Sequence, residues 1–221
     1  MAEARRRRAS LRGPTWIVAL SQTAGVGRRG RAWRDPAGNY AGTLVLEVEG
    51  GPQAMALRSF VAALAVHDAA GALAGPDGLS LKWPNDVLLH GGKLSGILLE
   101  PLDARTVAIG VGVNLAAAPA PREVEEGALP PAALGHGIGA AAFHDALVPA
   151  FDAREASLRT CGFGPTREAW LARAASLGAP IRARMPREEL RGTFEGIDGD
   201  GHLILRTPRG VRHLPAADIA L

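Results

Sequence analysis

The strongest constraint on the fold of this chain is a switch in hydrophobic period along its length. Between residues 53 and 73, apolar side chains recur at three- and four-residue steps, which predicts one long helix. The next stretch consists of short apolar runs divided by turn residues, which predicts strands at 79–83, 86–89, 94–100 and 106–113. Two earlier runs, 16–20 and 40–48, also predict strands. We therefore expect an α+β fold with a mixed or antiparallel sheet flanked by helices.

The texture of the sequence changes again after Gly178. Before it, residues 116–131 predict a loop, and helices are predicted at 143–158 and 165–177, the second beginning with Pro and ending just before Gly178. Beyond it, short strands are predicted at 181–185, 190–197, 202–206 and 211–214, with turns between them. This pattern predicts a small all-β, barrel-like module. We expect two domains, residues 1–177 and 178–221.

Composition narrows the class of protein. A chain of 221 residues that is 47% hydrophobic and 21% charged is typical of a globular protein. Apolar runs stay short of the roughly 18 residues that a membrane span needs, so no membrane association is expected. The run Arg5–Arg8 has no apolar segment behind it and does not resemble a secretory signal. A single cysteine, Cys161, excludes an internal disulfide and favours a reducing, cytoplasmic compartment.

The formal net charge of +3 comes from the first eight residues. They hold four arginines and one glutamate, so the remainder has 21 cations (25 minus 4) and 21 anions (22 minus 1). A neutral body does not present the broad basic surface of a nucleic-acid-binding protein. We interpret Arg5–Arg8 as the solvated face of a helix and expect no nucleic-acid partner; a nucleic-acid-binding module is a weak alternative.

Residues 25–30 have the spacing G-x-G-x-x-G of a dinucleotide-binding fingerprint. That fingerprint requires a helix to begin within the glycines, and Pro36 and Gly38 make a helix there unfavourable. We reject dinucleotide binding. The segment instead predicts a flexible loop whose arginines, Arg28, Arg29 and Arg31, can grip phosphate or carboxylate, with a solvated basic turn as the alternative.

Two lysines, Lys82 and Lys93, stand against 23 arginines (25 minus 2), and both lie in one short segment. The ammonium is a compact charge that can approach an anion from any direction, unlike the planar guanidinium. Two such residues close together indicate an anionic ligand or a reaction centre. The alternative is that two unimportant lysines escaped a compositional drift toward arginine.

Three motifs together resemble those of the biotin–protein ligases. Residues 22–33, QTAGVGRRGRAW, resemble the glycine/arginine loop of that family; residues 82–86, KWPND, followed by 92–100, GKLSGILLE, are similar to its second signature; and residues 109–114, IGVGVN, to its third. The resemblance covers nearly the whole chain. It implies a catalytic domain like that of class II synthetases, followed by a small SH3-like β-barrel.

The resemblance also implies a two-step reaction. Biotin and Mg-ATP would give biotinyl-5′-AMP and pyrophosphate, and biotin would then pass to one lysine of a biotin carboxyl carrier domain of a carboxylase. ATP, Mg²⁺ and biotin are the implied small-molecule partners. Joining a carboxylate to a phosphate brings two anions together, which requires positive charge without a competing nucleophile.

The resemblance assigns roles to individual residues. Lys93 would lie against the biotin carboxylate and the reacting phosphate, Arg28 would guard the adenylate, and Lys82 would lie near the phosphates; these three are the implied catalytic residues. Asp86 is a candidate contact for Mg²⁺ or for the acceptor lysine. Trp83 and Pro84 are interpreted as a fixed turn packed on the sheet. The other implied substrate-binding residues are Gln22, Gly25, Val26, Gly27, Arg29, Arg31, Trp33, Asn85, Gly96 and Asn114.

The sequence departs from the family pattern in two places. Position 26 is Val where most members have Arg, which predicts weakened rather than absent activity, restored in part by Val26→Arg. The family's Asp-Ser-Thr-Asn segment, which binds the ureido ring of biotin, would lie just before residues like Met1–Ala4. We expect that the start codon was assigned too late; a chain truly beginning here would lack a strand and part of the biotin floor, and its sheet would expose an unpaired edge. A helix-turn-helix ahead of residue 15 is not expected.

Two alternatives of other kinds remain open from the sequence. A lipoate or octanoate ligase or transferase shares the fold and the carrier lysine, although the KWPND segment and the terminal β-module favour biotin. A truncated ligand-binding protein with impaired catalysis is the second. Whether the chain forms a homodimer, and which carboxylase it serves, the sequence leaves open.

Overall fold

The computed structural model describes residues 1–124, 127–135 and 137–221. Four helices are α1 (Ala2–Arg7), α2 (Gly51–Ala74), α3 (Ala140–Cys161) and α4 (Phe163–Leu171). The strands are β1 (Thr15–Ala19), β2 (Tyr40–Glu47), β3 (Leu79–Lys82), β4 (Asp86–Leu89), β5 (Gly92–Pro101), β6 (Thr106–Val113), β7 (Pro180–Arg184), β8 (Glu189–Ile197), β9 (Leu203–Thr207), β10 (Gly210–Leu214) and β11 (Asp218–Ala220).

The first six strands form one sheet in the order β1-β2-β6-β5-β4-β3, and each neighbouring pair is antiparallel. Because side chains alternate between faces, each strand divides into two sets. Leu44 and Ile109 lie on the face that joins the main hydrophobic core. Val45 and Ala108 point to the other face, where they pack with Ala4 of α1. The sheet thus has a core face and a second face that α1 covers only in part.

The core face is covered by α2, which packs on β5 and against α3. By length and composition α2 is long and apolar enough to cross a membrane, but 56% of its most apolar window is buried inside the protein. That burial is the pattern of a core helix. The aromatic rings of Phe60, Trp170 and Phe194 follow one another with centroids 5.7 and 6.5 Å apart, so the core continues from α2 through α4 into the C-terminal sheet.

The last five strands form a second antiparallel sheet in the order β10-β9-β8-β7-β11. This small all-β module is consistent with the SH3-like barrel that the sequence predicts, and together with the antiparallel main sheet it confirms the α+β fold class. The division into domains at residue 178 stays a prediction.

The structure differs from the predicted elements in three places. The helix predicted at 165–177 is wrong in its second half, because α4 ends at Leu171. The chain then turns and pairs with the free backbone groups of the edge strand β3. The Leu81 N–H donates to the Arg173 carbonyl at 2.8 Å, and the Ala175 N–H donates to the Leu81 carbonyl at 2.7 Å. Strand β11 was not predicted. The loop predicted at 116–131 contains a 3₁₀ turn at Pro121–Glu123, and its residues 125 and 126 lie outside the described residues.

The other predicted elements are present with small shifts of their ends. The interpretation of the basic run also holds, since Arg5, Arg6 and Arg7 lie in α1 with exposed side chains, and Arg8 follows in a 3₁₀ turn. Glu3 pairs with both Arg6 and Arg7, and Arg5 pairs with Glu100.

Candidate active site

A cleft of about 1120 Å³ lies between the second face of the main sheet, the loop of residues 22–33 and the C-terminal sheet. The structure brings most of the predicted residues to its walls. Gly25 and Arg29 belong to the same loop but are not among the lining residues. The predicted residues that line the cleft are Gln22, Val26, Gly27, Arg28, Arg31, Trp33, Lys82, Asn85, Asp86, Lys93, Gly96 and Asn114.

Both lysines meet at one carboxylate. Lys93 Nζ lies 2.8 Å from Asp86 Oδ1, and Lys82 Nζ lies 3.6 Å from Asp86 Oδ2. The strand hairpin fixes this arrangement, because Lys82 and Asp86 are register partners at the ends of β3 and β4. Burial lowers the pKa of the Lys82 ammonium, and the attraction of Asp86 opposes that effect. The cluster carries a net positive charge and is suited to receive an anion.

Asp86 does not fit a resident metal ion in this arrangement. Both of its carboxylate oxygens face ammonium groups, and a divalent cation there would be repelled by Lys82 and Lys93. Among the described residues, a set of potential metal ligands does occur at Asp198, Asp200 and His202, in a turn of the C-terminal sheet. None of these three lines the cleft.

Asn85 joins the loop to the sheet. Its side-chain NH₂ donates to the Ile97 carbonyl, and its main-chain carbonyl accepts from the Ile97 N–H at 3.1 Å. Its side-chain oxygen accepts a hydrogen bond from Arg28 Nη1 at 3.4 Å. Desolvation lowers the pKa of the Arg28 guanidinium, because this side chain is drawn in beside Asn85 rather than left in solvent. Arg28 and Lys93 therefore line the same cleft and contact neighbouring residues, Asn85 and Asp86.

The glycine-rich loop is a tight hairpin. The Gly27 N–H donates to the Arg31 carbonyl at 2.7 Å, and the Trp33 N–H donates to the Gly25 carbonyl at 2.9 Å. A Cβ on Gly25 would lie 2.4 Å from the Trp33 carbonyl oxygen, so the close approach of the two arms requires glycine. Residues 25–33, all of them described, contain a 3₁₀ turn at Arg28–Gly30 and an isolated β-bridge between Val26 and Ala32, and no α-helix begins among them. This agrees with the prediction that Pro36 and Gly38 disfavour the helix that a dinucleotide fingerprint requires at these glycines.

Trp33 lies flat on a pair of glycines in the sheet. Gly96 and Gly112 are register partners on β5 and β6. A Cβ on Gly112 would lie 2.6 Å from an indole carbon of Trp33, and one on Gly96 would lie 3.1 Å from another. The Lys93 Nζ is 5.8 Å from the centroid of the same ring. The indole thus forms part of the cleft floor, with a cation beside it.

Asn114 holds a wall of the cleft in place. It is buried, and its NH₂ donates to the Ala132 carbonyl at 2.9 Å, while its N–H donates to the Leu94 carbonyl at 2.9 Å. These bonds fasten the segment 130–132 alongside Lys93. Trp83 is also buried, and its indole N–H donates to the Gly201 carbonyl at 3.0 Å. Trp83 therefore ties the lysine turn to the C-terminal sheet, as a packed structural turn would.

Comparison with known proteins identifies the family. Residues 1–114 match the biotin/lipoate A/B protein ligase family, and residues 176–221 match the biotin protein ligase C-terminal domain. The chain belongs to the biotin/lipoate A/B protein ligase family. The family resemblance seen in the three sequence motifs is confirmed.

Relatives of this ligase family match nearly the full chain. A biotin–[acetyl-CoA-carboxylase] ligase of Paracoccus denitrificans is 53% identical over 99% of this chain and 95% of its own length. A bifunctional ligase/repressor of Bacillus subtilis is 33% identical over 94% of this chain, which spans 66% of that longer protein. The fold matches a biotin protein ligase of Aquifex aeolicus, solved with biotin and ATP, with a TM-score of 0.83 at 21% identity over 95% of this chain and 89% of that one.

Sequence reasoning missed several charged residues of the cleft in this family member, and some of them come from the C-terminal sheet. Arg182 and Arg184 on β7, and Asp218 on β11, line the cleft. Asp218 accepts hydrogen bonds from both Arg29 and Arg31 of the loop. The sequence carries no local signal for these residues, because only the packing of the C-terminal sheet brings them to the loop.

Proposed function

We propose that this chain is an ATP-dependent ligase that activates biotin as biotinyl-5′-AMP and transfers it to a lysine of a biotin carboxyl carrier domain. The observation that carries the proposal is the convergence of Lys82, Lys93 and Arg28 on one cleft, in a chain 53% identical to a biotin–[acetyl-CoA-carboxylase] ligase. Its structural match with a ligase solved with biotin and ATP supports both small molecules.

The charges of the cleft suit both chemical steps. In the first, a carboxylate oxygen of biotin attacks the α-phosphorus of ATP, the bond to the β-phosphate breaks, and pyrophosphate leaves. Lys93 and Arg28 would offset the charge of the two approaching anions. Asp86 pairs with the Lys93 ammonium at 2.8 Å and so fixes its position in the cleft. In the second step, the neutral amine of the acceptor lysine attacks the carbonyl carbon, and AMP leaves.

The floor of the cleft suits a planar ligand. Trp33 rests on Gly96 and Gly112, so one face of its indole is supported by the sheet and the opposite face is available to a flat group such as adenine. Gly96 would contribute to binding through Trp33, because the indole occupies the space above its backbone. The loop over the adenylate would be shaped by Gln22, Gly25, Gly27, Arg29 and Arg31. Asn85 and Asn114 would hold the walls of the cleft in position.

Mg²⁺ is proposed as part of the Mg-ATP substrate. The phosphates would supply its oxygen ligands, which is the usual way that proteins take up this ion with ATP. Position 26 carries Val, half exposed at the cleft edge, so the loop offers one guanidinium fewer than most family members. Activity below that of an arginine-bearing relative is expected.

Partner and compartment are proposed more broadly. A biotin carrier domain of a carboxylase is the acceptor that the relatives' activity implies. We propose a cytoplasmic location, because a single cysteine suits a reducing compartment. We propose no nucleic-acid partner, because the body of the chain is neutral. A homodimer stays open; the edge strands of the main sheet are β1 and β3, and β3 already pairs with residues 173–175.

The proposal is tested by incubating the protein with biotin, Mg-ATP and an apo carrier domain, and weighing the carrier by mass spectrometry. We expect one added biotin on a single lysine, and biotin-dependent release of pyrophosphate when the carrier is left out. Lipoate and octanoate in place of biotin are the controls. Modification by lipoate but not biotin would favour the lipoate branch of the family, and binding of biotin without pyrophosphate release would favour a non-catalytic protein.

A further inference from the structure

One carboxylate from the C-terminal sheet is held by the arginines of the glycine-rich loop. Arg29 Nη1 and Arg31 Nη2 both donate to Asp218 Oδ2, across 189 and 187 residues of sequence. The Asp218 side chain is 27% exposed, while the two arginines are 39% and 43% exposed. The contact therefore joins the loop to β11 in a partly exposed position.

Asp218 lies within the positive field that the cleft directs at its substrates. Burial lowers the pKa of Arg28 and that of Lys82, and the negative charge of Asp218 opposes both shifts. Arg28, Arg31 and Lys82 of the cleft, and Arg29 beside it, thus all interact with this carboxylate. A site built to bind phosphate and carboxylate already holds carboxylates of its own, among them Asp86 at the lysines and Asp218 at the loop.

We propose that Asp218 is a latch that retains biotinyl-5′-AMP by holding the loop closed after pyrophosphate has left. The inference rests on the proposed function. ATP brings several negative charges that can engage Arg29 and Arg31, but the adenylate keeps only one phosphate charge after pyrophosphate departs. Lys93 and Arg28 are placed to meet that remaining charge, so the bonds of Arg29 and Arg31 to Asp218 need not be broken for the adenylate to stay bound. Asp218 supplies a fixed anion for them, and the loop stays over the intermediate until the acceptor lysine arrives.

This role makes Asp218 a positioning residue. It touches the loop arginines and not the reacting atoms, so its removal should change the escape of the intermediate more than its formation. A purely inhibitory contact would behave in the opposite way, because removing a carboxylate that competes with ATP would strengthen ATP binding and leave escape unchanged.

The test compares Asp218→Asn with the matched control Glu195→Gln. Glu195 is also a carboxylate of the C-terminal sheet paired with an arginine, Arg206, but it does not line the cleft. Preformed biotinyl-5′-AMP is chased with unlabelled adenylate, and its release and hydrolysis are followed. Removing two charge-assisted hydrogen bonds that are partly screened by solvent should raise the escape rate about tenfold in Asp218→Asn. The control should match the wild type, and thermal melting should show that both variants fold.

A second readout does not depend on catalysis. Trypsin cleaves after arginine, so the bonds following Arg28, Arg29 and Arg31 report on how firmly the loop is held. In the ligand-free protein, Asp218→Asn should be cut there several times faster than wild type and Glu195→Gln. Equal cutting in all three proteins overturns the proposal. Tighter ATP binding in Asp218→Asn with an unchanged rate of adenylate escape also overturns it. If the wild type forms no adenylate, the proposed enzyme function fails, and the trypsin comparison still decides whether Asp218 holds the loop.

Discussion

The two cation-bearing regions of the cleft are built in different ways. Residues 82–96 lie on adjacent antiparallel strands, with Asn85, Asp86 and Ser95 buried and Lys82 and Lys93 gathered on one carboxylate. Residues 22–33 form a hairpin whose arms are joined by few backbone hydrogen bonds, and its outer arginines are held by an ion pair to another sheet. Both regions present positive charge to the same space.

The difference indicates a division of labour. A strand-mounted site keeps its charges in place before the substrate arrives, which is how electrostatic stabilisation of a transition state is most effective. A loop held by exposed ion pairs can open at low cost, because such pairs contribute little to stability. The lysine region is suited to the chemistry, and the arginine loop is suited to admitting the substrates and retaining the intermediate.

The largest expected effect comes from the lysine region. Lys93→Gln should lower the rate of adenylate formation by about a hundredfold to a thousandfold, as for other groups that stabilise transition-state charge. The fold should survive, because Asp86 keeps Lys82 as a partner. Pyrophosphate release in single turnovers measures the effect, with the exposed surface variant Arg105→Gln as control.

Lys93→Arg sharpens the same test. It keeps the charge but replaces a compact ammonium by a broad planar group, and we expect a loss of about tenfold. Full activity in Lys93→Arg would show that only charge matters at this position. It would contradict the interpretation that the compact shape of the ammonium is needed there.

The second prediction concerns stability and compares the two regions directly. Asn85→Ala deprives the buried Ile97 carbonyl of its side-chain donor and should lower the free energy of unfolding by about 1–3 kcal/mol. Arg29→Ala removes a partly exposed ion pair and should lower it by less than about 1 kcal/mol. Urea denaturation followed by circular dichroism measures both. A larger loss of unfolding free energy in Arg29→Ala than in Asn85→Ala would contradict the assignment of residues 82–96 as the rigid region and residues 22–33 as the more easily opened one.

The third prediction concerns the place where loop and sheet touch. Gly112→Ala would place a methyl group 2.6 Å from the Trp33 ring and force the indole off the sheet. Overpacking of this kind costs about 1–3 kcal/mol, so we expect the KM for ATP to rise about tenfold, with a change in tryptophan fluorescence. Gly199→Ala is the matched control, since a Cβ there meets nothing within 4 Å. An unchanged KM in Gly112→Ala would mean that Trp33 does not help to bind the nucleotide.

Much of the fold and part of the site could be predicted from the sequence. The switch in hydrophobic period located the strands and α2, because burial on one face leaves a regular pattern. The two lysines and the glycine loop were found because residue type itself carries their chemistry. The end of α4 was not predicted, since it depends on the backbone of Leu81 needing partners. Likewise, the contact of Asp218 with the loop depends on how two sheets pack, which leaves no trace in local sequence.

The position of Trp33 on the sheet shows most clearly what the sequence does not predict. Gly96 and Gly112 are visible in the sequence as members of two separate motifs. Only the register of β5 with β6 places them side by side and makes a flat platform for the indole. Sequence reasoning supplied the parts of the floor, and strand pairing assembled them.

The most direct measurement is amide hydrogen exchange of residues 22–33 and 82–96, with and without biotinyl-5′-AMP. If a yielding loop closes on a preformed strand site, exchange in the free protein is fast in the loop and slow in the strands, and the adenylate slows the loop by about tenfold or more while the strands change little. Equal protection of both segments in the free protein, or a loop that the adenylate leaves unprotected, would contradict it.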